Sequence, residues 1–114
     1  MKDCLFCKIA KKEIPSDIVY EDRDFIAFRD INPIAPIHLL IVPKKHISSV
    51  NALRPEDKEL VGKLFLVAKE IAKEQGISEK GYRLIFNVGK EGGQAIEHLH
   101  LHLLGGKTLS WSKY

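Results

Sequence analysis

The stretch His98-Leu99-His100-Leu101-His102-Leu103-Leu104 constrains this chain more than any other, because it holds three of the five histidines at a spacing of two. Successive side chains of a strand point to opposite faces. The pattern therefore places His98, His100 and His102 on one face and Leu99, Leu101 and Leu103 on the other. A helix would scatter the histidines around its circumference, so the spacing predicts a strand. Alternate residues of a strand lie roughly 7 Å apart. That is too far for direct hydrogen bonds between neighbouring rings, yet close enough for all three to line one ligand or metal. The stretch reads as the polar face of a half-buried strand, as a metal tract, or as a catalytic cluster. Three alternating histidines are an unusual way to make a merely polar face. The rest of the chain must choose between the other two.

A chain of 114 residues is expected to form one domain, residues 1–114. The net charge of +3 is too mild to argue for nucleic acid, and it does not oppose a small anionic ligand. Residues 1–8, Met1-Lys2-Asp3-Cys4-Leu5-Phe6-Cys7-Lys8, contain no long apolar run, so no signal peptide is expected. No stretch approaches a membrane span. The expectation is a cytoplasmic protein that binds neither membrane nor nucleic acid. In that reducing setting the Cys4-x-x-Cys7 pair is more often metal-binding or redox-active than a structural staple.

Taken in order, residues 4–12 read as a short helix with Leu5, Phe6 and Ile9 inward, broken at Pro15. Ile18–Glu21 and Phe25–Arg29 read as a hairpin across the polar turn Asp22-Arg23-Asp24. Asp30 to Pro36 is a loop stiffened by Pro33 and Pro36. Asp30 there is either a turn former or an acceptor for sugar hydroxyls. His38–Pro43 is a continuous apolar run, predicted to be a central strand buried on both faces, with His46 just past its end. Pro55 to about Gln75 is predicted as the long helix. Pro55 suits its first position, Arg54 is a poor N-cap, and Gly76 suits the position after its end. Its stripe of Leu60, Val61, Leu64, Val67, Ala68 and Ile71 would cover one face of a sheet. Tyr82–Val88 reads as a strand, followed by the glycine-rich loop Gly89–Gln94. The loop lacks the dinucleotide-binding glycine spacing, and a strand follows it rather than a helix. After Gly105-Gly106 comes a tail in which Trp111 is expected to bury, against a partner subunit or on its own domain. Short connections favour antiparallel pairing. The predicted fold class is α+β, with about five antiparallel strands, one long helix and a short N-terminal helix.

The histidine stretch matches a His-x-His-x-His-x-x signature with apolar x. The chain resembles the histidine-triad (HIT) family, and within it the Hint-like branch of nucleotide-binding proteins. Cys4–Ile9, Phe28–Pro33, Ala35–His38, Pro43–Ile47, Gly92–Gln94 and Leu104–Gly106 fall in the family's order along nearly the whole chain. The resemblance implies a HIT-like fold, a homodimer and a purine nucleotide or nucleoside phosphoramidate as ligand. It implies cleavage at the α-phosphate through a nucleotidyl-histidine that water then hydrolyses. His100 matches the nucleophile, His102 and His38 the rings around the phosphate, Asp30 the carboxylate for the ribose hydroxyls. Leu5, Phe6, Phe28 and Ile31 match the base pocket. Asn87 and Gly93-Gln94 match positions beside the phosphate. That chemistry needs no metal.

Ala95 departs from the pattern. Many Hint relatives carry a serine there whose hydroxyl contacts the phosphate or leaving group, and a methyl group cannot donate. Among bacterial family members with the N-terminal Cys-x-x-Cys, the resemblance pairs Cys4 and Cys7 with His46 and His98 around a structural zinc. His98 would hold the metal while His100 stays free to attack. Three functional readings follow: a nucleotidyl hydrolase, a non-catalytic, zinc-stabilised nucleotide-binding module, or a triad that is itself a catalytic metal site and would lose all activity to chelator.

Overall fold

The computed structural model describes residues 4–111. Its strands are β1 (Ile18–Glu21), β2 (Phe25–Arg29), β3 (Ile37–Pro43), β4 (Tyr82–Ile85) and β5 (Leu101–Gly105), with helices α1 (Leu5–Ala10) and α2 (Lys58–Glu74). All pairings are antiparallel, and the sheet runs β1-β2-β3-β5-β4. The hairpin strands match the sequence expectation, and Asp22 closes their turn by accepting the Asp24 and Phe25 N–H groups at 2.7 Å each. The last strand returns between β3 and β4, which places the histidine stretch in the middle of the sheet.

Alternation along the strands builds two cores. Phe25, Ala27, Leu39, Ile41, Leu101 and Leu103 face Leu64, Val67, Ala68 and Ile71 of α2. Ile26, Phe28, Leu40 and Val42 face the other way, onto Phe6 and Ile9 of α1. The central strand is thus buried on both faces, as its apolar run requires. Gly76 ends α2 at φ +74°, and the turn is closed by the Gly76 N–H to Lys73 O and Ile77 N–H to Ala72 O, 3.0 Å each.

Several expectations are corrected. The first turn of the long helix, Pro55–Asp57, is a 3-10 turn. Buried Asp57 there accepts the Arg54 N–H at 2.9 Å and Lys45 Nζ at 2.7 Å, so an acceptor three residues on satisfies the entry that Arg54 leaves uncapped. The short N-terminal helix begins only after Cys4, its N-cap, and Leu5 points outward at 39% exposure while Phe6, Cys7 and Ile9 are buried. The fourth strand stops at Ile85 rather than Val88. Trp111 is 88% exposed on the single chain, so it does not bury on its own domain. The Arg83 guanidinium donates to Ser110 O at 3.0 Å and Leu109 O at 3.3 Å, which holds that segment along the sheet edge and sets the indole over the guanidinium instead of into a core. The rest of the predicted tail lies outside the described residues. Among the described residues no helix is long and apolar enough to cross a membrane.

The histidine stretch is only partly a strand. The ladder covers Leu101–Gly105, so His102 lies in it, while His98 and His100 precede it. Pro43 supplies the reason. The register Ile41↔Leu101, continued, sets Pro43 opposite Leu99, and proline has no N–H to give. Leu99 N–H bonds Ile47 O instead, at 2.6 Å.

Candidate functional site

The alternation survives the loss of the ladder. Leu101 and Leu103 enter the α2 core, and the histidines line the opposite side. The pairings Leu40↔His102 and His38↔Leu104 make His38 and His102 diagonal neighbours on one face. Their rings meet, with His38 Nε2 3.0 Å from His102 Nδ1. His100 and His102 ring centroids lie 5.0 Å apart, closer than the strand repeat because His100 has left the ladder.

Fixed donors and acceptors determine which nitrogen of each ring carries a proton. A carbonyl only accepts and a backbone N–H only donates. His98 therefore donates from Nε2 to Pro43 O at 2.8 Å, which leaves the Nδ1 lone pair. His100 donates from Nδ1 to His98 O at 2.6 Å, which leaves the Nε2 lone pair. His38 Nδ1 accepts the Ile34 N–H at 3.2 Å, so its Nε2 carries the proton and donates to His102 Nδ1. His102 is left with an Nε2–H that no described residue accepts. Burial pushes all four rings below the ordinary histidine range. For His102 burial, reinforced by His100 and His38, lowers the pKa to about 4. The rings are neutral at pH 7, so the lone pairs are available.

The second grouping lies beside the first. Cys4 Sγ and Cys7 Sγ lie 3.2 and 3.5 Å from His98 Nδ1, and Cys7 Sγ lies 3.4 Å from His46 Nδ1. A tetrahedral zinc with ordinary Zn–S and Zn–N bonds needs S···N separations of about 3.6 Å. Two sulfurs and two nitrogens at these distances fit that ion, and the lone pair of His98 faces them. Burial, with help from Cys4, raises the Cys7 thiol pKa, and a bound cation would reverse that effect. Asp30, His38 and His102 also converge, with Asp30 Oδ2 3.4 Å from His38 Nε2. That set does not fit a metal, because His38 presents a proton there rather than a lone pair.

The remaining sequence candidates divide. Phe6 and Phe28 are buried with ring centroids 5.4 Å apart, and Phe6 also packs against His100 at 5.1 Å. Leu5 and Ile31 stand on the surface, Ile31 at 90% exposure. Asp30 is half-buried and its Oδ1 accepts the Asn32 N–H at 2.8 Å. Asn87 Nδ2 donates to Gly92 O at 2.9 Å. Gln94 takes the Gly89 N–H at 3.0 Å and gives its own to Ser48 O and Ile96 O at 2.7 and 2.9 Å, so it staples the loop. Gly93 and Ala95 are exposed beside it. Sequence reasoning missed the carbonyls of Pro43 and His98 and the N–H of Ile34. These are main-chain groups that nearly every residue carries, so no residue pattern marks them.

The family described as "Scavenger mRNA decapping enzyme C-term binding" matches residues 3–113. Protein HitA of Neisseria gonorrhoeae is 50% identical over 105 residues, covering 92% of this chain and 97% of its own. The crystal structure of a HIT family hydrolase from Legionella pneumophila is similar at a TM-score of 0.95 and 54% identity, covering 96% of this chain and 98% of that one. A histidine triad nucleotide-binding protein from Candida albicans gives 0.82 at 31% identity, covering 96% and 82%. An antiparallel sheet carrying a cluster of histidines on its α1 side defines the class of protein. The chain belongs to the histidine-triad family.

Proposed function

We propose that this protein is a nucleotidyl hydrolase that cleaves purine nucleoside phosphoramidates at the α-phosphate, with His100 as nucleophile. One observation carries the reading: His100 is neutral and its Nδ1–H is held by His98 O, so its Nε2 carries an unengaged lone pair. In the first step Nε2 bonds to phosphorus and the P–N bond to the amine breaks. The departing amine takes its proton from solvent, the Nε2–H of the neutral His102 serves as a hydrogen-bond donor to the phosphate side, and the water that attacks next returns a proton to solvent. Water then breaks the N–P bond of the nucleotidyl-histidine, releasing the nucleoside monophosphate and restoring His100. Asp30 is assigned to the ribose hydroxyls. Phe28, with Phe6, Leu5 and Ile31, is assigned to the base, and Asn87, Gly93, Gln94 and Ala95 to the phosphate side. The names of the Legionella and Candida relatives, a hydrolase and a nucleotide-binding protein, support the assignment.

Cys4, Cys7, His46 and His98 are assigned to a zinc ion whose role is structural. It would tie the N-terminal segment to the chain after β3. A homodimer is part of the same reading, supported by the place of β4 at the end of the strand order and by exposed Phe65 and Leu66, with Phe65 packed on Phe86 just past β4. Turnover of an adenosine phosphoramidate, with intact-mass detection of an adduct on His100, tests the function. An adduct that forms and decays at the turnover rate is expected. Tight nucleoside monophosphate binding with neither turnover nor adduct would refute the hydrolase and leave a nucleotide-binding module, with Ala95 its first suspect.

A further inference from the structure

Helix α1 is six residues long, and a helix that short does not hold itself in water. Its anchors are therefore tertiary. Cys4 is its N-cap, with Sγ accepting the Cys7 N–H at 3.4 Å, and its thiol reaches His98 Nδ1 while that of Cys7 reaches both His46 and His98. Phe6 lies between the two cysteines and is buried. Its ring meets His100 edge-on, at 5.1 Å and 79°. The same ring touches His98 at 6.0 Å and Phe28 at 5.4 Å. The bond from His100 Nδ1 to His98 O fixes one corner of the imidazole and leaves its plane free to swing. The plane is stopped on one side by His102, at 63°, and on another by Phe6.

We propose that Phe6 is a positioning residue for His100, and that the four-donor cluster of Cys4, Cys7, His46 and His98 sets where its ring lies. This rests on the reading of His100 as nucleophile, and it gives the cluster a task beyond stability. When the cluster is drawn together, α1 seats and the Phe6 edge closes against His100, so Nε2 keeps its aim. When it is not, α1 loosens and His100 keeps its hydrogen bond but not its plane. Misplacement of a reacting group by an ångström costs about 100-fold in rate.

The test uses the full chain, stripped with chelator and then supplied with Zn²⁺. Nuclear Overhauser contacts between the Phe6 and His100 rings are expected to strengthen on zinc addition. Adduct formation on His100 is expected to quicken in parallel. In Phe6→Leu, which keeps apolar bulk, adduct formation at saturating substrate should fall about 10- to 100-fold whatever the variant does to nucleoside monophosphate Kd, and zinc should no longer change that rate. If Phe6 served only the base pocket, Phe6→Leu would weaken Kd and leave the adduct rate intact, which overturns the proposal. Ring contacts equal with and without zinc overturn the role of the cluster. His46→Ala, expected to lose the zinc effect, repeats that comparison should Phe6→Leu fail to fold. Zinc-dependent contacts in a protein that never forms the adduct would refute the hydrolase reading while retaining the coupling of cluster and ring.

Discussion

Gly92→Ala should destabilise this protein, and Gly62→Ala should stabilise it. A Cβ at Gly92 would lie 2.3 Å from Val88 O, 2.8 Å from Val88 N and 3.0 Å from Val88 C, where ordinary contact begins near 3.4 Å. All three neighbours are backbone, so no rotamer relieves the clash and the loop must open by about 1 Å. Four hydrogen bonds hold that loop: Gly93 N–H to Lys90 O, Gln94 N–H to Gly89 O, Asn87 Nδ2 to Gly92 O and Gly89 N–H to Gln94 Oε1. At about 1 kcal/mol net each, their loss sets a ceiling of about 4 kcal/mol. The reduced freedom of the unfolded chain returns about 0.4–1 kcal/mol, and two of the bonds are exposed, so a net loss of about 2 kcal/mol is expected. A chain of this length converts that to a Tm lower by about 10 °C. Gly62 lies inside α2 with nothing within 4 Å of its Cβ direction, so alanine there gains about 0.5–1 kcal/mol, or a few degrees. Thermal melts read by circular dichroism at one pH decide the matter. A Gly92→Ala protein melting with the parent, or shifts of the same sign at both sites, would refute the steric argument.

Stability should fall as pH drops from about 6.5 towards 4. His102 is depressed to about 4 when folded, so the unfolded chain binds the extra proton across that window, and the slope flattens below it. A Tm constant between pH 7 and 4 would contradict its burial. Cys7→Ser should abolish stoichiometric zinc, and its Tm should ignore chelator. In the parent, zinc at a hundredfold over Kd should add about 2.7 kcal/mol, and metal content unchanged in the variant would exclude the site. Ala95→Ser should raise the rate of adduct formation by up to about 100-fold with Kd for nucleoside monophosphate unchanged. A slower or unaltered rate would remove position 95 from the reaction.

What could be read from the sequence was whatever hydrophobic periodicity encodes locally. The hairpin Ile18–Arg29, the doubly buried His38–Pro43 run, the α2 stripe and the separation of histidines from leucines are all periodic signals, and the structure contains each of them. The family motifs added the grouping of Cys4, Cys7, His46 and His98, which the fold brings within reach of one ion. Boundaries set by long-range contacts were not legible. The ladder stops short of His100 because the strand it would pair with ends in Pro43, a partner 56 residues earlier than Leu99 in the chain. Leu5 turns outward because its neighbours Cys4, Phe6 and Cys7 have partners and it has none comparable. Trp111 stays exposed on the chain because Arg83, at the sheet edge, holds the Leu109 and Ser110 carbonyls just before it.

His98 and His100 are the same side chain two residues apart, and they keep their lone pairs on different ring nitrogens. His98 shows Nδ1 to the thiol cluster, and His100 has Nδ1 engaged and Nε2 left over. What sorts them is a carbonyl on the opposite nitrogen of each, Pro43 O for one and His98 O for the other. Those carbonyls belong to the path of the main chain, and no side-chain substitution deletes them. The division of labour is therefore inherited with the backbone. Grafting His-x-His-x-His onto an uninterrupted strand would carry the letters across but not the chemistry, since a regular ladder would claim the carbonyls that choose each tautomer.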